Sequence, residues 1–146
     1  MAPLICLVAA FVVLRLLGFA VPWLADWQHA LRGALGAMFL LTSSAHWGKG
    51  RPDLVRMVPP GMGHAGLWVT LTGLAEIAIA AGLQLPLVAF CTAIVAIVML
   101  CCLFVANAKA AREHLTILGR PVLPLVPRML IQIVFIGALA AAAWRR

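Results

Sequence analysis

Glu76 is the residue best placed to do chemistry, because it lies alone inside a long apolar run at residues 67–83. An ionisable side chain inside a membrane-length helix is costly, and such residues usually face a bundle interior or a water-filled cavity. A carboxyl group there can bind a polar ligand or exchange a proton. A structural interpretation also stands, in which a protonated Glu76 is hydrogen-bonded to a neighbouring helix.

Four further polar side chains could share a site with Glu76. Thr42 and His46 lie four residues apart, a spacing that puts them on one face of a helix. Asn107 ends the fourth apolar segment, and Gln132 lies a turn or two into the fifth. We expect these groups in the cytoplasmic half of the membrane or near its midplane, around one ligand-binding pocket.

Each of these residues also has a structural interpretation. His46 could be a helix-end histidine in the interface, and Thr42 could bond back to its own helix. Asn107 could cap its helix, and Gln132 could join two helices. Arg15, about 18 Å into the first apolar segment, could reach the headgroups or pair with the buried carboxyl group, so we keep it among the candidate ligand-binding residues.

The composition predicts an all-α membrane protein with one domain, residues 1–146. Hydrophobic residues make up 65% of the chain, charged residues 10%, and the mean hydropathy is +1.11, far from the composition of a soluble domain. A spanning helix needs about 20 mostly apolar residues. Five segments reach or approach that length: 3–24, 30–47, 66–85, 86–106 and 123–144. Helices are expected because lipid leaves backbone groups no outside partner.

The net charge of +7 is interpreted as a topology signal and not as a nucleic-acid interface. Five spans would put one group of basic residues on a single side: Lys49, Arg51, Arg56, Lys109, Arg112 and Arg120. Arg32 and the pair at 145–146 would lie opposite. The positive-inside rule then places the N-terminus in the cytoplasm and the C-terminus outside, in a bacterial inner membrane. The basic side would also attract anionic lipid headgroups.

The first apolar segment is predicted to be a retained helix. It lacks the basic start of a signal peptide and is longer than a typical signal-peptide core. The connection at residues 48–65 could contain a short helix at 54–57, capped by Asp53 and ended by Pro59 and Pro60. Such a helix could cover the polar cluster, or the segment could be a plain loop.

Several motifs resemble, in order and spacing, those of the DoxX-like membrane protein family. They are residues 35–47, 56–60, 71–76 and 104–107, with Arg128 and Gln132. The likeness covers residues 30–144 and implies a four-helix core at 30–146, with residues 1–29 as an additional N-terminal span. Val105 stands where family members often have proline, so a kink before Asn107 is in doubt.

The resemblance implies little about chemistry, because most DoxX-like proteins have no assigned reaction. Some relatives are subunits of membrane redox systems, including thiosulfate:quinone oxidoreductase and an oxidative-stress complex with superoxide dismutase and a sulfurtransferase. A distant animal relative assists the assembly of acetylcholine receptors. Fold therefore transfers more safely than function.

The sequence is consistent with three functions. It does not indicate whether the protein is an enzyme. The first is a membrane subunit of a redox system that binds a quinone or similar amphipathic molecule through His46, Glu76, Asn107 and Gln132. The second is a non-catalytic anchor or assembly factor for a partner complex. The third is a small-solute or lipid transporter, although no discontinuous helix is indicated.

The sequence contains no recognisable haem, flavin, nucleotide or metal motif. Any redox centre is therefore expected to come from a partner protein or from a diffusible quinone. Small residues such as Gly33, Gly73 and Gly137 would allow helices to approach closely, either within the bundle or in a homo-oligomer.

Overall fold

The computed structural model describes residues 1–144, and most of these are helical. The helices are α1 (Ala2–Leu17), α2 (Trp27–Ser44), α3 (Arg51–Met57), α4 (Ala65–Gly82), α5 (Ala89–Arg112) and α6 (Leu125–Ala143). Short 3-10 turns at Pro22–Ala25 and Pro60–Met62 precede α2 and α4. Two short strands, β1 (Thr116–Ile117) and β2 (Arg120–Pro121), form a hairpin before α6. The pair at 145–146, used in the topology prediction, lies outside the described residues.

Three helices, α4, α5 and α6, are long and apolar enough to cross a membrane. This confirms the predicted helical class, and three of the five predicted spans correspond to helices that could cross a membrane. α1 has only 16 residues, fewer than the roughly 20 that a typical span needs. α2 has 18 residues but carries Gln28, His29 and Arg32 in its first two turns, which lowers its mean hydropathy. These two spans remain predictions.

Two predicted helix ends are wrong. α1 ends at Leu17 and not at residue 24, because the chain folds back at Gly18, where a Cβ atom would lie 2.8 Å from the carbonyl oxygen of Leu24. α5 runs past residue 106 to Arg112. Alanine and lysine after Asn107 favour the helix, and basic residues suit its C-terminal end. Asn107 therefore lies inside α5 and does not cap it.

The predicted short helix exists, but Asp53 does not cap it. α3 begins at Arg51 after Gly50, with Pro52 in its first turn, a position that suits proline. The Asp53 carboxylate instead accepts the backbone N–H of Leu118 at 2.8 Å and pairs with Arg56. The hairpin, which was not predicted, is thereby attached to α3. Its two-residue loop has positive φ at both positions, as a tight type I′ turn requires.

α2 is the central helix of the bundle. It packs against α1, α4 and α6, while α5 packs against α6 and α4. The buried core contains Ala34, Leu35, Met38 and Phe39 of α2, Ile79, Ala80 and Leu83 of α4, and Leu139 and Ala142 of α6. Large apolar side chains such as Val98 and Ile133 are exposed on the outer faces of α5 and α6. Outer faces of this kind are compatible with lipid.

The bundle has two ends with different polar groups. The His46 end contains the last turns of α2 and α5, the first turns of α4 and α6, all of α3, and the hairpin. Lys109 of α5 donates there to the carbonyl oxygens of Arg56 at 2.8 Å and Val58 at 2.9 Å. The opposite end, the Arg32 end, contains the first turns of α2 and α5 and the last turns of α4 and α6. The six basic residues predicted to share a side all belong to the His46 end.

Candidate functional site

Glu76 lies at the interface between α4 and α2, beside His46. Glu76 is 6% exposed and His46 is 9% exposed. Oε2 of Glu76 lies 3.6 Å from Nδ1 of His46, a separation longer than a hydrogen bond. Within residues 1–144, this buried oxygen has no hydrogen-bond partner. Since buried polar atoms are nearly always paired, an unpaired carboxyl oxygen is the unusual feature of this interface.

His46 lies in the turn that follows α2, two residues beyond Ser44. Its backbone N–H donates to the carbonyl of Ser43 at 2.9 Å, and the turn brings the ring back over the helix. Nδ1 lies 3.1 Å from the carbonyl oxygen of Thr42. A carbonyl oxygen can only accept, so Nδ1 carries a hydrogen and Nε2 of the neutral ring carries the lone pair.

Thr42 belongs to the same group of side chains. Its hydroxyl donates to the carbonyl of Phe39 at 3.0 Å, and the side chain lies near the Glu76 carboxyl group. Its two sequence interpretations, a bond to its own helix and a place beside Glu76, therefore both apply. Thr42, His46 and Glu76 form what we call the acidic cluster.

Arg51 supports the acidic cluster from α3, and sequence reasoning did not identify this role. Its guanidinium group donates to the carbonyl oxygens of His46 at 3.0 Å and Gly66 at 2.9 Å, and to the hydroxyl of Thr70 at 2.9 Å. One side chain thus joins the turn after α2 to the first turns of α4. Because Arg51 belongs to a basic loop, its sequence position indicated only the orientation of the chain in the membrane.

Gly73 allows α4 to approach the turn that carries His46. A Cβ atom at residue 73 would lie 2.8 Å from Cβ of His46 and 3.1 Å from the Trp47 ring. The hydroxyl of Ser43 donates to the Gly73 carbonyl at 3.0 Å. The hydroxyl oxygen of Ser43 in turn accepts the indole N–H of Trp47 at 3.3 Å. Small residues had indicated close helix contact, but not that this contact lies at His46.

Asn107 and Gln132 lie between α5 and α6. Arg128 of α6 donates to the side-chain oxygen of Asn107, and Gln132 donates to the carbonyl of Leu100 at 3.0 Å. In the described part of the chain, none of these hydrogen bonds reaches the acidic cluster. Nε of Arg128 is buried and, within that part, unpartnered. The predicted polar residues are therefore divided between two helix interfaces.

Arg15 lies at the Arg32 end, away from the acidic cluster. Its guanidinium group donates to the carbonyl of Ala25, with a longer contact of 3.4 Å to that of Leu24. These contacts join the last turn of α1 to the 3-10 turn before α2. Because the side chain is exposed, the structure favours a helix-end role for Arg15 and gives no pairing with Glu76.

Two cavities lie near these residues. The apolar cleft, about 600 Å³, runs between α1, α2 and α4 and is lined by Leu40, Ile77 and Ala80, among others. Ile77 follows Glu76 directly in the chain, and Ala80 lies one turn further along α4. Neither Glu76 nor His46 lines it.

The second cavity, the basic groove, lies at the His46 end between α5 and the segment before α4. Its volume is about 470 Å³. Its lining includes Pro60, Phe104, Val105, Lys109, Arg112 and Glu113.

Within residues 1–144, fold and site together define a small helical protein with three helices that are long and apolar enough to cross a membrane, and with a buried acid beside a histidine. The chain belongs to the family described as domain of unknown function (DUF8561), whose model matches residues 35–145. That range contains Glu76, His46, Asn107 and Gln132, whereas α1 lies outside it. No curated protein and no solved structure matches the chain.

Proposed function

We propose that this chain is a polytopic membrane protein that binds a small amphipathic molecule, of the quinone class, at the acidic cluster. The observation that carries the proposal is the buried Oε2 atom of Glu76, which has no hydrogen-bond partner in the described residues and lies 3.6 Å from His46. A polar ligand group would supply the missing partner. Intramembrane acids that face a bundle interior commonly have such roles.

The acidic cluster can bind a ligand that is a hydrogen-bond acceptor in one form and a hydrogen-bond donor in another. A protonated Glu76 can donate to a carbonyl oxygen, and an ionised Glu76 can accept from a hydroxyl group. The oxidised and reduced forms of a quinone present these two groups in turn. The lone pair on Nε2 of His46 can take part in moving a proton.

The apolar cleft supports an amphipathic ligand over a fully polar one. It is lined almost wholly by apolar side chains, and one of them, Ile77, is the residue after Glu76 in α4. A polar head at the acidic cluster could therefore have its apolar tail in the cleft. Ligand sites of this general kind combine an apolar wall with a few placed polar groups.

The wider assignment follows the resemblance to DoxX-like proteins. We propose that the family is related to them and that this chain is a membrane subunit of a redox system, whose redox centre is supplied by a partner protein or by a diffusible quinone. We also propose a bacterial inner-membrane location with the His46 end in the cytoplasm. The support for this orientation is the number of basic residues at that end.

A non-catalytic anchor or assembly factor is the second candidate. One observation favours it: neither described cavity is lined by Glu76 or His46. The acidic cluster would then serve only to hold α2 against α4. The transporter alternative has less support, since α4, α5 and α6 each run as one uninterrupted helix.

The test compares small molecules that co-purify with wild-type protein and with Glu76→Gln in mild detergent, by mass spectrometry. We expect a quinone or a similar molecule with wild type and its loss from Glu76→Gln, with the thermal unfolding midpoint unchanged. Gln132→Leu is the matched control, because it removes an intramembrane polar group at the other helix interface. It should retain the ligand.

Two results would count against ligand binding. Identical extracts from equally folded wild type and Glu76→Gln would favour the anchor. A Glu76→Gln protein that fails to fold would show that the carboxyl group stabilises the bundle, and attention would move to partner proteins recovered by cross-linking.

A further inference from the structure

The basic groove combines an apolar wall with cations at the depth where a membrane changes from hydrocarbon to headgroups. α5 has 24 residues, or about 36 Å at 1.5 Å per residue, whereas the hydrocarbon core is about 30 Å thick. The last turn of α5, with Lys109 and Arg112, therefore reaches the headgroup region. Phe104 lies about 12 Å from Arg112 along the helix axis, towards the membrane interior. This is the level of the acyl chains.

The charges around the groove leave Arg112 uncompensated. Lys109 uses two of its three N–H groups on backbone carbonyl oxygens and lies 4.0 Å from Glu113. Arg112 is exposed, and within residues 1–144 its side chain makes no hydrogen bond or ion pair. The groove thus keeps one free guanidinium group and one free ammonium N–H next to a single carboxylate.

The apolar part of the groove faces outwards from the bundle. Val105 is 61% exposed, and it lines the groove together with Phe104 and Pro60. A soluble anion would use the cations but leave this wall without a partner. A phospholipid would use both parts, because its phosphate lies at the headgroup level and its acyl chains lie below it.

We propose that the basic groove binds one anionic phospholipid, with its phosphate at Arg112 and Lys109 and an acyl chain against Phe104 and Val105. Charge complementarity selects an anionic over a zwitterionic headgroup. The site requires that the chain lies in a membrane but does not depend on a ligand at Glu76. Failure of one proposal therefore leaves the other standing.

The test is native mass spectrometry of the full chain, titrated with phosphatidylglycerol and separately with phosphatidylcholine. We expect Arg112→Gln to weaken phosphatidylglycerol binding about fivefold, equivalent to about 1 kcal/mol for one basic residue near an anionic surface. Lys49→Gln is the matched control, since Lys49 is exposed at the same end but lies outside the groove. It should weaken binding less than twofold.

Filling the groove tests its apolar wall. Val105→Trp should weaken binding of both lipids without changing any charge. Equal losses in Arg112→Gln and Lys49→Gln would overturn the proposal, because they would indicate a diffuse basic surface. Displacement of phosphatidylglycerol by glycerol phosphate at equal concentration would also overturn it, because the groove would then recognise a phosphate alone.

Discussion

The two ends of the bundle use polar side chains in different ways. At the Arg32 end, they donate to backbone carbonyl oxygens of other helices: Gln28 to Trp144 at 2.6 Å, Arg32 to Ala142 at 3.0 Å, and Gln84 to Arg32 at 3.0 Å. The bonds to Ala142 and Trp144 satisfy carbonyl oxygens that the end of α6 would otherwise leave unpaired. At the His46 end, similar bonds surround a buried carboxyl oxygen of Glu76 that lacks a partner in the described residues, whereas the unpartnered buried atom of the Arg32 end is Nδ1 of the partly exposed His29.

The comparison distinguishes polar side chains that stabilise the fold from polar side chains that could bind a ligand. A polar side chain that donates to an unpaired carbonyl oxygen at the end of a neighbouring helix stabilises the fold, and this bond needs no ligand. A buried acid with an unpaired oxygen adds little stability, because the desolvation of that atom is not offset. We therefore expect a substitution of Glu76 to change ligand content, whereas substitutions of side chains that make hydrogen bonds, such as Arg51 and Arg32, change stability according to the bonds they remove.

The largest expected effect on the unfolding free energy is a difference between two arginine-to-glutamine substitutions, one at each end of the bundle. Arg51→Gln removes three hydrogen bonds made by the guanidinium nitrogens, which a shorter side chain cannot reach. We expect a loss of about 3 kcal/mol of unfolding free energy, together with loss of the co-purifying ligand. Arg32 uses Nε, whose position glutamine can supply, so Arg32→Gln should cost below about 0.5 kcal/mol.

Unfolding in detergent, followed by tryptophan fluorescence, measures both variants. Arg51→Lys keeps the charge but not the planar fork of donors, so it should recover only part of the loss. Equal destabilisation by Arg51→Gln and Arg32→Gln would remove the distinction between the two ends.

Much of this arrangement could be predicted from the sequence, for identifiable reasons. An isolated acid in an apolar run is visible without a fold, so Glu76 could be selected directly. Chain direction places the end of α2 near the first half of α4, because the two helices are antiparallel, but the contact of His46 with Glu76, the twelfth of the 18 residues of α4, also depends on how the helices are offset. The α-helical class follows from composition alone.

Other parts depended on facts that local sequence does not contain. Whether Asn107 meets Glu76 depends on which face α5 turns towards α6, and the apolar pattern of α5 is nearly uniform around the helix. The role of Arg51 depends on the orientation of α3. The hairpin has only two residues in each strand, too few for an alternating pattern.

An intermediate effect is expected at Gly73, where α4 contacts the turn that follows α2. Gly73→Ala would place Cβ 2.8 Å from Cβ of His46, a rigid part of that side chain. Overpacking of this kind costs about 1–3 kcal/mol, and it should move His46 away from Glu76. The thermal unfolding midpoint and the ligand content should therefore both fall.

Gly137→Ala in α6 is the control, since no atom lies within 4 Å of the added methyl group. Removing a mid-helix glycine should leave stability unchanged or raise it by up to about 1 kcal/mol. A Gly73→Ala protein that keeps its midpoint and its ligand would show that the contact between α2 and α4 yields easily, and that the acidic cluster is not held rigidly.

The smallest expected effect is the pH response of Asp53, which attaches the hairpin to the His46 end. The backbone N–H of Leu118 and, to a lesser degree, the Arg56 guanidinium hold the pKa of Asp53 below its ordinary value of 3.8. A carboxyl group whose pKa is lowered by folding stabilises the fold above its unfolded pKa, and this contribution is lost as the pH falls through the folded value.

Asp53→Asn should therefore lower the unfolding midpoint at neutral pH, and the difference from wild type should vanish in acid. Asp26→Asn at the Arg32 end controls for the substitution itself, since asparagine caps a helix about as well as aspartate. Hydrogen exchange at Leu118 locates the effect, because protonation of Asp53 should expose that N–H first. A midpoint difference that persists in acid would mean that Asp53 acts through packing, and that its carboxylate charge does not hold the hairpin.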